Sequence, residues 1–195
     1  MRLDKQPEQA LEVFIEALAK KRPKLFLERE LHLPTHQVDA IWLKQTPLTR
    51  LDYRMLASVA NIWSNMGENQ QAADLEKAVL VSLSLGSVAV EARYSLLLGM
   101  YFNLSRNLLT IQAYEEAFAI CDDGIELHKK IKSVKYLGEL YDNKASGLAS
   151  LGKIVEAKHF YRLACEQFFA NAEQEKVEIT RKYALDKYKI VVEIS

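Results

Sequence analysis

Small and bulky residues recur at fixed spacings in four places along the chain, and that recurrence confines it to a helical repeat. Ala10, Phe14 and Ala17 stand four and three residues apart, and Ala157, Tyr161 and Ala164 repeat the arrangement. Looser copies begin at Ala72, followed by Glu76 and Val79, and at Ala117, followed by Cys121 and Gly124. Steps of three and four residues put side chains on one helix face, where the small ones let a second helix approach closely and the bulky one fills the gap beside it. Gly67 and Gly152 stand five residues before Ala72 and Ala157, each closing an apolar helical stretch: Leu56, Val59, Ala60, Trp63 in one case, Tyr141, Ala145, Leu148 in the other. The unit is therefore a helix, a tight turn and a second helix. A stack of such units offers a long surface rather than a deep cleft, so binding is the first functional expectation.

The rest of the chain suits that reading. All four prolines (Pro7, Pro23, Pro34, Pro47) lie in the first quarter, and beyond Leu48 only turns interrupt helix. The expected order is a helix from about Pro7 to Lys21, an irregular connector to residue 49, helical pairs over 50–86, 90–131 and 134–171, and a capping helix and apolar tail over 173–195. The second pair should turn near Gln112 and Ala113. With 195 residues, 49% of them hydrophobic, one continuous core is within reach as a single domain. No apolar run approaches the length of a membrane span, and the first residues lack the apolar core of a signal peptide, which predicts a cytoplasmic protein. Cys121 and Cys165 lie on the small-residue faces of second helices and read as buried, reduced thiols.

Charge argues against this chain wrapping a nucleic acid by itself: 26 basic residues balance 26 acidic ones. The compact basic cluster from Lys20 to Lys24 reads as a solvated helix end, with phosphate contact as the alternative. The stretch from Leu27 to Trp42 has the apolar spacing of a helix-turn-helix, but His32 stands where the turn usually has glycine, so an irregular connector is the competing reading. Catalysis has little support. His32 and His36 are four apart, but Pro34 lies between them and no glutamate completes a metalloprotease pattern. There is no phosphate-binding glycine loop and no nucleophile elbow, and the carboxylate pairs Glu115-Glu116 and Asp122-Asp123 are adjacent and so point apart on a helix. The expectation is a protein that is not an enzyme and has neither cofactor nor metal.

The helix-turn-helix units resemble the tetratricopeptide repeat, whose period is about 34 residues; the steps of 45 residues from Ala72 to Ala117 and 40 from Ala117 to Ala157 make these long-helix variants. More specifically, Ala92 to Asn107 with Tyr114 to Leu127, and Leu137 to Lys158, resemble the C-terminal repeat region of Cro/CI-type (XRE) transcriptional regulators of Gram-positive bacteria. The resemblance implies an all-α, tetratricopeptide-like solenoid of helical hairpins, a right-handed superhelix that dimerises and binds a short peptide effector, as in quorum sensing. In that family DNA is read by an N-terminal helix-turn-helix. This chain starts within a repeat, which implies that the DNA-binding head is absent from it, either because the chain is an excised piece or because its gene encodes the body alone. A stand-alone repeat adaptor for other proteins is the alternative.

In such superhelices the first helix of each pair lines the concave side. The candidate ligand-binding residues are therefore Arg54, Asn61, Phe102, Asn103, Arg106, Asp142, Asn143 and Ser146. Asparagine offers a donor and an acceptor to the backbone of an extended peptide, and arginine can pair with a carboxylate through two bonds. The competing reading is that Asn103 and Asn143 only tie neighbouring loops. Lys144 stands where a first helix should be apolar, and so marks either looser packing of the third pair or a contact for a partner.

Overall fold

A computed structural model describes residues 49–85, 90–131 and 135–193, and in these it is all-α. Seven helices follow one another among the described residues: α1 Arg50–Asn65, α2 Asn69–Leu85, α3 Val90–Thr110, α4 Tyr114–Ile131, α5 Leu137–Ser150, α6 Ile154–Ala170 and α7 Gln174–Tyr188. The expected helix from Pro7 to Lys21, the connector, the basic cluster, the helix-turn-helix-like stretch and His32 and His36 lie outside the described residues.

α1 begins at a capping box. The Thr49 side chain accepts from the Asp52 backbone N–H, and Asp52 Oδ2 accepts from the Thr49 N–H at 2.8 Å, so two donors that the helix leaves over are satisfied together. What most organises the chain is a turn used four times. Gly67, Gln112, Gly152 and Ala172 all have positive φ, at 89°, 62°, 72° and 59°. At each, the N–H of the positive-φ residue reaches back three residues and the next N–H reaches back five: Gly67 to Ser64 and Glu68 to Trp63, and likewise Gln112 to Leu109, Ala113 to Leu108, Gly152 to Ala149, Lys153 to Leu148, Ala172 to Phe169 and Glu173 to Phe168. This is the Schellman closure, which uses up the last carbonyls of the helix and reverses the chain. The next helix then starts in the same register each time, with the N–H of Ala72, Ala117, Ala157 and Val177 bonded four residues back to Glu68, Ala113, Lys153 and Glu173. These four residues are fully buried.

The chain divides between Asn107 and Leu108 into two compact units. In the first, α1 packs on α2, and Leu56, Val59, Ala60, Ala72, Ala73, Leu75 and Val79 are buried. In the second, α5 packs on both α4 and α6, and α7 on both α6 and α5. Its core joins Ala145, Leu148, Ala157, Tyr161, Ala164, Cys165, Phe168, Val177 and Ala184. Two glycines set the closeness of this packing: a Cβ at Gly138 would lie 2.5 Å from the Phe168 ring, and one at Gly147 would lie 2.6 Å from both Leu109 and Phe118. Cys121 and Cys165 are buried, and no disulfide joins them. Lys144 does not loosen its pair: its ammonium lies 2.5 Å from Asp122 on α4 and 4.8 Å from the centre of the Phe160 ring, so it ties three helices together.

Candidate functional site

Counting back from the positive-φ residue of each turn puts the three first helices in a common register. Asn61, Arg106 and Ser146 are each six residues before their turn, Asn103 and Asn143 nine, and Phe102 and Asp142 ten. Asn61, Arg106 and Ser146, and likewise Asn103 and Asn143, thus occupy equivalent positions along their own helices. Arg54 is exposed; Asn61, Phe102, Asn103, Arg106, Asp142 and Ser146 are half-buried; Asn143 is buried.

In the first unit the structure brings Arg106 to α1. Its guanidinium lies 5.6 Å from the centre of the Phe102 ring one turn back, and its Nη2 donates to Ser64 Oγ at 3.4 Å. Ser64 in turn donates to Asn107 Oδ1 at 2.6 Å, and Asn107 Nδ2 donates to Glu76 Oε2 on α2 at 2.8 Å. Glu76 and Asn107 have no exposed surface, and Glu76 Oε1 has no hydrogen-bond partner. Burial pushes the Glu76 carboxyl up to about 8; the Asn107 bond and the Arg106 charge oppose this but do not win. At neutral pH this carboxyl is held mostly in its neutral form.

In the second unit Ser146 is engaged inside its own pair, with its Oγ 3.1 Å from the Tyr161 hydroxyl of α6. Burial raises the Tyr161 phenol, and the Ser146 bond only partly offsets it. Asp142 Oδ1 is enclosed and without a hydrogen-bond partner; burial, opposed by Thr180 of α7 and aided by Glu139 of like charge, pushes the carboxyl up to about 6. Two of the three α5 candidates thus meet neighbouring helices. Ser64, Glu76 and Asn107 in one unit, and Tyr161, Thr180 and Tyr188 in the other, complete these networks and were not among the candidates. Glu76 carried a signal: it stands four residues after Ala72, where other copies have Phe14 and Tyr161, and an acid in that enclosed position needs a partner.

An open cavity of about 650 Å³ lies beside the α6–α7 turn, lined among others by Tyr136, Glu139, Glu173 and Lys176. Lys176 bridges Glu139 at 2.6 Å and Glu173 at 2.7 Å and faces the Phe168 ring. Among the described residues no group of three His, Cys, Asp or Glu side chains converges as metal ligands, and no helix is long and apolar enough to cross a membrane. No family model matches the chain, and neither a curated protein nor a solved structure does.

Proposed function

We propose that the chain is the non-catalytic, peptide-binding and dimerising body of a bacterial transcriptional regulator, built as a tetratricopeptide-like solenoid. The observation that carries this reading is the common register of Asn61, Arg106 and Ser146, and of Asn103 and Asn143, set by turns of one construction. Polar side chains that recur at one position of the helix, as Asn61 and Arg106 do within the first unit, suit the evenly spaced carbonyls and N–H groups of an extended peptide, whatever its side chains. Arg106 carries a guanidinium of the kind that pairs with a peptide carboxylate through two bonds. DNA contact would come through a helix-turn-helix carried elsewhere, and the peptide would act by changing how two bodies associate.

The test is sedimentation equilibrium over a concentration range, with and without the peptide fraction of the source culture, on the wild type and on Arg106→Ala and Asn103→Ala. A dimer whose association shifts with the fraction, and shifts less in both variants, is the expected result. A monomer indifferent to the fraction would replace this reading with that of a repeat adaptor.

A further inference from the structure

α7 carries its apolar residues the wrong way round for a helix that must fasten itself. Its buried positions are Val177, Thr180 and Ala184, none larger than valine, whereas Ile179 and Leu185 are 60% and 47% exposed. That inner face suits close approach to α6, but it buries too little apolar surface to hold a helix of this length alone. Its polar ties to α5 run through groups that solvent reaches. Lys176, partly exposed, bridges Glu139 at 2.6 Å, and the half-buried Tyr188 donates through its hydroxyl to the Ser146 carbonyl at 3.3 Å. Such ties add little net stability.

The missing apolar bulk comes from the chain after the helix. Ile190 and Val192 are 2% and 3% exposed and share one core with Val177 and Ala184 of α7 and with Ala164, Cys165 and Phe168 of α6, while Val191 between them is exposed. Burial at alternate positions is that of an extended chain laid along a surface. The closure that directs it there differs from the four repeat turns. Lys189 holds φ 59°, its N–H reaches back four residues to Leu185, and the Ile190 N–H reaches back six to Ala184 at 3.1 Å, where the repeat turns span three and five. This wider closure returns the chain over Ala184, on the inner face of α7, instead of into another helix. On its other flank an open cavity of about 280 Å³ lies between the segment and Glu178, Arg181, Lys182 and Leu185, so the segment is not walled in there.

We propose that residues 190–192 are a strap that fastens α7 to α6, so that strap and α7 lift as one unit while α5 and α6 stay paired. α6 shares a wider contact with α5 than with α7, and that pairing survives the loss. Lifting bares the α6 face at Phe168, over whose ring the Lys176 ammonium of α7 lies at 5.3 Å. The strap thereby decides whether that apolar face is buried or offered. The inference holds whether or not the first helices bind a peptide.

Hydrogen exchange of the full chain, resolved helix by helix and corrected for the intrinsic chemical rate, tests this. Ile190→Ala and Val192→Ala each remove buried methyl groups, so each should raise opening of the Gln174–Tyr188 amides at least about tenfold and leave α5 and α6 within about threefold of wild type. Val191→Ala, at the exposed neighbour, should change none of them by more than about threefold. A smaller rise in α7, an equal rise in α5 and α6, or an equal rise in Val191→Ala would overturn the proposal. Should the two buried variants fail to fold, the wild type decides. Its α7 amides must open at least about tenfold more than those of α5, and equal opening in the two helices refutes the strap.

Discussion

Glu76→Gln is expected to stabilise the first unit at neutral pH, although it removes a buried hydrogen-bonding acid. Glu76 Oε2 accepts from Asn107 at 2.8 Å while Oε1 has no partner. A glutamine can keep the acceptor facing Asn107 and put its amide where Oε1 was, mimicking the neutral acid without being able to ionise. In the unfolded chain the glutamate ionises near its ordinary 4.5, whereas in the folded chain it does so at about 8. The unfolded state therefore holds fewer protons between those values, and folding stability falls with rising pH at about 1.4 kcal/mol per pH unit. Stability fully present below about pH 4.5 is lost by about pH 8. At pH 7 the native protein has forgone ~3 kcal/mol that the glutamine variant keeps.

The difference between the two proteins isolates this group from every other titration. Trp63 lies on α1 of the first unit, so in a Trp42→Phe background urea unfolding followed by tryptophan fluorescence reports on that unit. The stability gap should be within about 1 kcal/mol at about pH 5 and should widen in favour of Glu76→Gln by ~3 kcal/mol at about pH 7.5. A gap independent of pH would refute the reasoning, since the carboxyl would then be titrating alike in the folded and unfolded chain.

Gly147→Ala should destabilise the second unit by ~1–3 kcal/mol, because its Cβ would lie 2.6 Å from Leu109 and Phe118; loss of helical circular dichroism in urea measures it, and no change would mean that the ring moves aside at no cost. Ala172→Gly should raise stability by ~1 kcal/mol in the same assay, since Ala172 holds φ 59° in a turn where Gly67 and Gly152 hold positive φ without a Cβ; a lower midpoint would show that the alanine makes contacts worth more than its backbone costs. Lys144→Met keeps the stem against Phe160 but loses both the charge over that ring and the pair with the exposed Asp122, so the change should stay within about 1–2 kcal/mol. A loss beyond about 2 kcal/mol would mean that the Asp122 pair is a main tie between α4 and α5.

What the sequence discloses and what it hides follow one physical line. Gly67 and Gly152 announce their turns because glycine adopts positive φ freely, and the Ala117 register places the turn at Gln112 without a glycine. Ala172 announces nothing. Its conformation is imposed by the same pair of backbone bonds, and only the identical offset to Val177 shows that α7 enters as another repeat helix would. Apolar faces were legible from spacing, because burial follows period. The polar networks were not, because Glu76 meets Asn107 and Ser146 meets Tyr188 across distances in sequence that no local pattern encodes.

The position four residues after each entry alanine shows why the repeat can change chemistry without changing fold. Tyr161, Cys121 and Glu76 all occupy it, and none has exposed surface. Enclosure is thus the property the repeat demands there, and the residue type is free provided its polar atoms are answered. Tyr161 is answered by Ser146, and a thiol asks for little. Glu76 is answered on one oxygen only, and so remains mostly protonated at neutral pH. In α7 the same position carries Arg181, which is exposed, and the rule lapses where, among the described residues, no further helix pair covers it. Glu76 is therefore where the repeat's demand for enclosure exchanges stability for sensitivity to protons.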